Sequence, residues 1–227
     1  ILFRNQNGAV SVWEMDGGEA VAKSYAGNMS QDWSVAAVAD FNADDKSDIV
    51  FQHQNGAVSV WEMDGGTASS KSYTGNLGMG GKIESVADFT GDGKADILTR
   101  SADNAVSVWE MDGGTATAKT YSGHLGAGWD IKQIADFNGD GSSDLLVSDN
   151  ETAVSVWEME AGATAQKTFS GSLLDGWTVG AAEDFSGDGK ADIQLENTNT
   201  GQVSIWEMDG PDVVTAGLTG NLWSDLI

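Results

Sequence analysis

Val, Ile and Trp alternate with small or polar residues in runs of four to eight positions along the whole chain. That two-residue period is the mark of β-strands with one covered face. Asn-Gly, Asp-Gly and Gly-Gly pairs stand between the runs as turn signals. In one representative stretch the pattern predicts strands over about 49–52, 57–63, 69–73 and 83–88, the third and fourth separated by the glycine-rich segment 75–81.

The pattern then repeats. AVSVWEMDGG occurs at 9–18, 57–66 and 105–114, followed by AVSVWEMEAG at 153–162 and QVSIWEMDG at 202–210. Successive copies are 48, 48, 48 and 49 residues apart, the extra residue lying in the turn around Asn197–Thr200. Four short strands in about 48 residues fit one blade of a β-propeller. The expected fold is therefore all-β, a β-propeller of four-stranded blades. It forms a single domain over 1–227 with repeats 1–48, 49–96, 97–144, 145–192 and an incomplete 193–227. The strand before each acidic turn is rich in small residues, among them Ala36, Ala37, Ala39, Ser85, Ala87, Ala135, Gly180, Ala181 and Ala182. Small side chains belong where strands crowd about an axis, so this strand is placed innermost. Chain start and stop are out of phase with the blades. Five blades result if the tail Trp223–Ile227 supplies the inner strand of the first; a segment of a six- or seven-bladed ring is the alternative.

Between the innermost and second strands lies an acidic nonapeptide: DFNADDKSD at 40–48, DFTGDGKAD at 88–96, DFNGDGSSD at 136–144 and DFSGDGKAD at 184–192. Side-chain oxygens recur at the first, third, fifth and ninth places, and a main-chain carbonyl is available at the seventh. The sets are Asp40, Asn42, Asp44, Lys46 and Asp48; Asp88, Thr90, Asp92, Lys94 and Asp96; Asp136, Asn138, Asp140, Ser142 and Asp144; and Asp184, Ser186, Asp188, Lys190 and Asp192. Lys46, Lys94, Ser142 and Lys190 enter through their carbonyls. An oxygen-only set in a tight turn suits Ca2+, a hard cation that takes six to eight oxygens. About four ions are expected. The hydroxyls of Thr90 and Ser186 reach less far than Asn, which predicts two tighter and two weaker sites. The sixth place needs a left-handed backbone, supplied by Gly93, Gly141 and Gly189; Asp45 stands there in the first loop, and Asp is among the few other residues that visit this region.

Composition narrows the function. The formal charge is −24, and 13 of the 35 acidic residues lie in the four loops, so bound metal accounts for part of the acidity. So negative a surface disfavours phosphate backbones and anionic membranes, which argues against nucleic-acid partners. No apolar run is long enough to cross a membrane as a helix. The absence of cysteine rules out disulfides and thiolate chemistry. Millimolar extracellular calcium would fill weak sites, which places the protein outside the cell or on its surface. Ile1 falls inside a repeat unit, which leaves room for a removed leader.

DFNGDGxxD followed by an apolar strand and GAVSVW resembles the FG-GAP/VCBS repeat of integrin-like propellers and of bacterial and fungal propeller lectins. The likeness spans all five units. It implies calcium between the first and second strands of blades, on Asp40, Asn42, Asp44 and Asp48 and their counterparts, and glycans or surface proteins as partners.

Other constellations carry less. Glu14 and Asp16, Glu62 and Asp64, Glu110 and Asp112, Glu158 and Glu160, and Glu207 and Asp209 are acidic pairs on one strand face. Paired carboxylates serve glycoside hydrolysis, but a pair in every unit points to structure and no enzyme is expected. His53 and His124 are unmatched and have no nucleophile motif beside them, and Gly78–Gly81 lacks the lysine of a phosphate loop. Trp13, Trp61, Trp109, Trp157 and Trp206 sit mid-strand, where packing between blades is their default role. Trp33, Trp129 and Trp177 open the inner strand after a polar loop and are the candidate sugar-stacking residues. The expected function is a carbohydrate-binding module with structural calcium; an adhesion scaffold contacting proteins is the alternative.

Overall fold

The structure is a computed structural model and describes residues 1–149 and 152–221. Every regular element among them is a strand. The strands form one three-stranded and four four-stranded antiparallel sheets, each a meander of consecutive strands, which is the blade arrangement of a β-propeller. The chain divides into two compact units, Ile1–Asp88 with Asp92–Tyr121, and Phe89–Gly91 with Ser122–Ile227.

In the first unit β1 (Leu2–Arg4), β2 (Ala9–Asp16) and β3 (Glu19–Asn28) form the three-stranded sheet. The next holds β4 (Trp33–Ala39), β5 (Asp48–His53), β6 (Ala57–Asp64) and β7 (Thr67–Asn76). β8 (Lys82–Ala87), β9 (Asp96–Arg100), β10 (Ala105–Asp112) and β11 (Thr115–His124) follow, β11 running into the second unit. That second unit contains β12 (Asp130–Ala135), β13 (Asp144–Ser148), β14 (Ala153–Glu160) and β15 (Ala163–Ser172), then β16 (Trp177–Glu183), β17 (Asp192–Asn197), β18 (Gln202–Asp209) and β19 (Asp212–Asn221). The segment 223–227, proposed above to complete the first blade, lies outside the described residues.

Local chemistry accounts for the repeated plan. Two-residue loops join second to third strands, Gly-Gly in the first three sheets, Ala161-Gly162 in the fourth and Gly210-Pro211 in the fifth; Gly17 and Gly18, at φ 54° and 91°, make the doubly left-handed turn that matches strand twist. The AVSVWEMD strands of the inner sheets are covered on both faces, as in β6, where only Glu62 and Asp64 escape full burial, whereas in β2 only Val10 is fully buried. The outer strands are ten residues long, twice the expected 69–73 stretch. The difference has a simple cause: Ala68, Gly75 and Asn76 beyond the expected stretch give little strand signal, while pairing with β6 persists from Asp64–Thr67 to Ala57–Asn76.

The sheets interlock through one recurrent contact. Trp61 of β6 is buried to 2% exposure and presses on Gly27 at the end of β3, where a Cβ would stand 2.9 Å from the indole. Trp109 meets Gly75 in the same way, Trp157 meets Gly123, and Trp206 meets Gly171. Only glycine lets a backbone come that close. In the first unit Phe41, Val58, Val60, Ile97 and Met111 build one core cluster and Val10, Ile49, Phe51 and Met63 another. Phe137, Leu146, Val156, Ile193 and Met208 centre the core of the second.

Candidate metal-binding loops

Each acidic nonapeptide bridges the first and second strands of a sheet, with its ninth residue opening the second strand. The first aspartate organises the turn. Asp40 accepts the amides of Asn42 and Asp44 on one oxygen (3.1 and 3.3 Å) and that of Asp45 on the other (2.8 Å). Asp136 gathers Gly139, Asp140 and Gly141 likewise, and Asp184 gathers Gly187, Asp188 and Gly189. Asp88 accepts the amides of Asp92 and Gly93. Asn42 and Asn138 close a smaller turn onto the fifth residue, 3.0 and 2.9 Å, and Asp44, Asp92, Asp140 and Asp188 each accept the seventh residue's amide. These are successive turns of the kind short acidic side chains form with nearby backbone. The amides from Gly189, Gly187 and Asp188 hold the Asp184 carboxyl below its ordinary range.

The ninth aspartate differs from the rest. Asp48, Asp96, Asp144 and Asp192 are fully buried. Asp144 accepts Phe137 N–H (3.0 Å) and Met159 N–H (2.8 Å), tying the loop's start to the next strand. Asp48 makes the same pair of bonds to Phe41 and Met63. Burial pushes Asp144 up to about 7, with the negative charges of Asp140 and Asp136 adding to the rise. Asp48 is raised for the same reason, with Asp44 and Asp40 contributing. The first, fifth and ninth carboxylates of a loop thus feel one another, which is what a shared cation would relieve.

Lys46, Lys94 and Lys190, proposed for their carbonyls, also act through their side chains. Lys46 Nζ lies 2.9 Å from Asp64, Lys94 Nζ 3.0 Å from Asp112 and Lys190 Nζ 2.5 Å from Asp209. These hydrogen bonds raise all three lysines and give the Asp of WEMDG its role. Ser142, which holds that place in the third loop, is buried. The Glu of the same motif is also engaged: Glu62 accepts the amide of Gly114, in the turn of the following sheet, at 2.8 Å.

The first loop has the expected left-handed Asp45 at φ 63°, and also Ala43 at φ 58°, where the other loops carry glycine. The fourth loop departs from the others. Ser186, not Phe185, donates its amide to Asp192 (2.8 Å), and Phe185 is 45% exposed whereas Phe41, Phe89 and Phe137 are buried. Thr90 is partly buried. Among the described residues no three acidic or histidine side chains stand in metal-holding geometry. The loops fit a hard cation in donor chemistry, since carboxylate oxygens, with an Asn amide oxygen in two of them, are gathered onto the turn; the coordination set itself belongs to the proposal below.

Trp33, Trp129 and Trp177 are all partly buried. Trp33 stands edge-on to His53, ring centroids 5.0 Å apart, and Trp177 packs on the second unit's core. Trp129 lies beside Gly126.

The FG-GAP-like repeat matches residues 40–99, 88–147 and 136–194. Each match starts at the first aspartate of a loop and runs through the next. The chain belongs to the FG-GAP-like repeat family. No curated protein matches it in sequence. Among solved structures, the dihydro-heme d1 dehydrogenase NirN in complex with DHE is similar over 97% of this chain and 45% of that one, with a TM-score of 0.57 at 13% identity. The FG-GAP chain therefore spans less than half of that protein, and the likeness concerns the fold alone. Sequence reading found the FG-GAP loops but missed the lysines that lie on the mid-strand tryptophans, although their spacing, ten residues after Trp13, Trp61, Trp109 and Trp157, is constant.

Proposed function

We propose that this FG-GAP propeller is a calcium-stabilised, non-enzymatic binding module that works outside the cell or on its surface, and that its ligands are carbohydrates. The observation that carries the reading is the fourfold acidic turn, in which Asp144 is raised by burial and further by the negative charges of Asp140 and Asp136 beside it. A divalent cation would neutralise that repulsion and stiffen the turn. Asp40, Asn42, Asp44 and Asp48, with the Lys46 carbonyl, would hold one ion, and the matching residues of the other loops about three more. Thr90 and Ser186 make the second and fourth sites the weaker ones.

For the ligand, Trp33 and Trp177, which open first strands, and Trp129, which directly precedes one, support a sugar. Each is only partly buried, and an aromatic face stacks on the apolar face of a pyranose while polar neighbours bond its hydroxyls. Several equivalent weak sites would act through multivalency. A glycan array run with and without Ca2+, on the native chain and on Trp129→Ala, tests this. Reduced retention by the folded variant is expected; unchanged retention sinks the carbohydrate reading. The scaffold reading has its own support in exposed aromatic side chains, Tyr25, Tyr73 and Tyr121 in the first unit and Phe169 in the second, each more than 60% exposed, since aromatic residues are enriched at protein interfaces. A chain that binds no glycan but retains a surface protein would favour it.

A further inference from the structure

Four of the five mid-strand tryptophans carry an ammonium on the ring. Lys23 lies 3.9 Å from the Trp13 centroid, Lys71 3.7 Å from Trp61, Lys119 3.3 Å from Trp109 and Lys167 3.5 Å from Trp157. The register explains the regularity, because Trp13–Lys23, Trp61–Lys71 and Trp157–Lys167 are directly opposed across paired strands. In the fifth sheet the residue opposite Trp206 is Ala216. The methyl group of alanine ends far short of the ring, and among the described residues no lysine ammonium lies over Trp206 as it does over the other four. Trp206 is only partly buried, and beside it opens a cavity of about 340 Å3 lined by Trp177, Trp206, Leu174, Leu218, Gln202 and Ser204.

We infer that this cavity binds an alkylammonium group, the class of cation that the other four sheets supply from their own lysines. The positive end sits over the Trp206 indole, where the ring quadrupole attracts it. The hydrocarbon arm lies along Leu174 and Leu218, both largely exposed in the free protein, as a lysine stem covers apolar surface. A primary ammonium fits better than a quaternary one. Lys71 Nζ donates to the carbonyl of Ala26 at 2.9 Å; by the repeat spacing the counterpart of Ala26 is Ser170, directly before the Gly171 on which Trp206 packs. The formal charge of −24 favours approach of any small cation. The same chemistry is offered by a free aliphatic amine and by a lysine side chain of a peptide. The inference does not rest on the carbohydrate reading, since it follows from the missing lysine and not from the first-strand tryptophans.

The test is a titration of the whole chain with n-butylammonium chloride, followed by the indole N–H resonances of the nine tryptophans. Saturable movement confined to the Trp206 and Trp177 signals at millimolar concentrations is expected. Isosteric n-butanol should bind about tenfold more weakly, the ratio that corresponds to a cation–π attraction of ordinary size. Ala216→Lys should abolish the response, because the chain then fills its own site. Nα-acetyl-lysine amide binding as well as butylammonium assigns the site to peptide lysines; binding of butylammonium alone assigns it to free amines. Equal affinity for n-butanol, uniform movement of all tryptophans, or a folded Ala216→Lys variant that still responds would each overturn the inference. Should that variant not fold, the comparison of amine with alcohol on the native chain decides alone.

Discussion

Asp144→Asn exchanges a buried carboxyl for an amide of the same shape and removes one acceptor from a pair of backbone donors. The wild-type carboxyl is raised from 3.8 to about 7 by burial and by Asp140 and Asp136. A raised carboxyl contributes stability that is complete below its unfolded value and declines as pH rises towards its folded one. In the metal-free chain the decline from pH 3.8 to 7 amounts to about 4 kcal/mol at 1.36 kcal/mol per pH unit. Asparagine cannot ionise, so the variant escapes this loss. It has its own cost, because either Phe137 N–H or Met159 N–H then faces an amide NH2, about 1–3 kcal/mol at every pH. Urea unfolding followed by tryptophan emission in the presence of chelator, at intervals from pH 4 to 8, reads both effects. The variant should be the less stable at pH 4, and the two stability curves should converge or cross by pH 8. Parallel curves would refute the assignment of a raised carboxyl. Adding millimolar Ca2+ at pH 7.5 should then stabilise the wild type and leave the variant's third loop without benefit; equal gains in both would count against Asp144 as a ligand.

Two further outcomes follow from the geometry. Ala43→Gly should stabilise the chain by about 1 kcal/mol in thermal or urea unfolding, since alanine at φ 58° carries a left-handed penalty that glycine avoids. Glu62→Ala should cost about 1–2 kcal/mol by orphaning Gly114 N–H, and Glu62→Gln, which keeps an acceptor, should recover most of it in the same measurement.

The repeat, the strands and the place of the acidic loops were legible because each has a local cause: period-two patterning, Gly-Gly turns, and aspartates at fixed offsets. The outer strands were half read, since Ala68, Gly75 and Asn76 at their ends signal little and gain their strand from the register with β6. The role of Asp144 was hidden for another reason. Its partner Met159 lies fifteen residues on, and nothing in a nonapeptide shows that its last carboxylate is sealed from water. Phe185 sits in the same Asp-Phe-x-Gly setting as Phe89 and Phe137, differing nearby in Glu183 for alanine and Ser186 for threonine or asparagine, yet it is exposed. The lysines over tryptophan were available as a constant spacing, but the attraction becomes visible only when the strands are paired.

Consecutive sheets are joined by an indole reaching back to the preceding glycine, and at Glu62 a carboxylate reaching forward to the following turn adds a second tie. Such a chain stores its cohesion in bonds between nearest neighbours, as links in a bracelet do. Damage to one link loosens the two beside it first, so the repeats fray in sequence order from the injured one, and an array of this kind tolerates variation within a blade better than variation at its clasps.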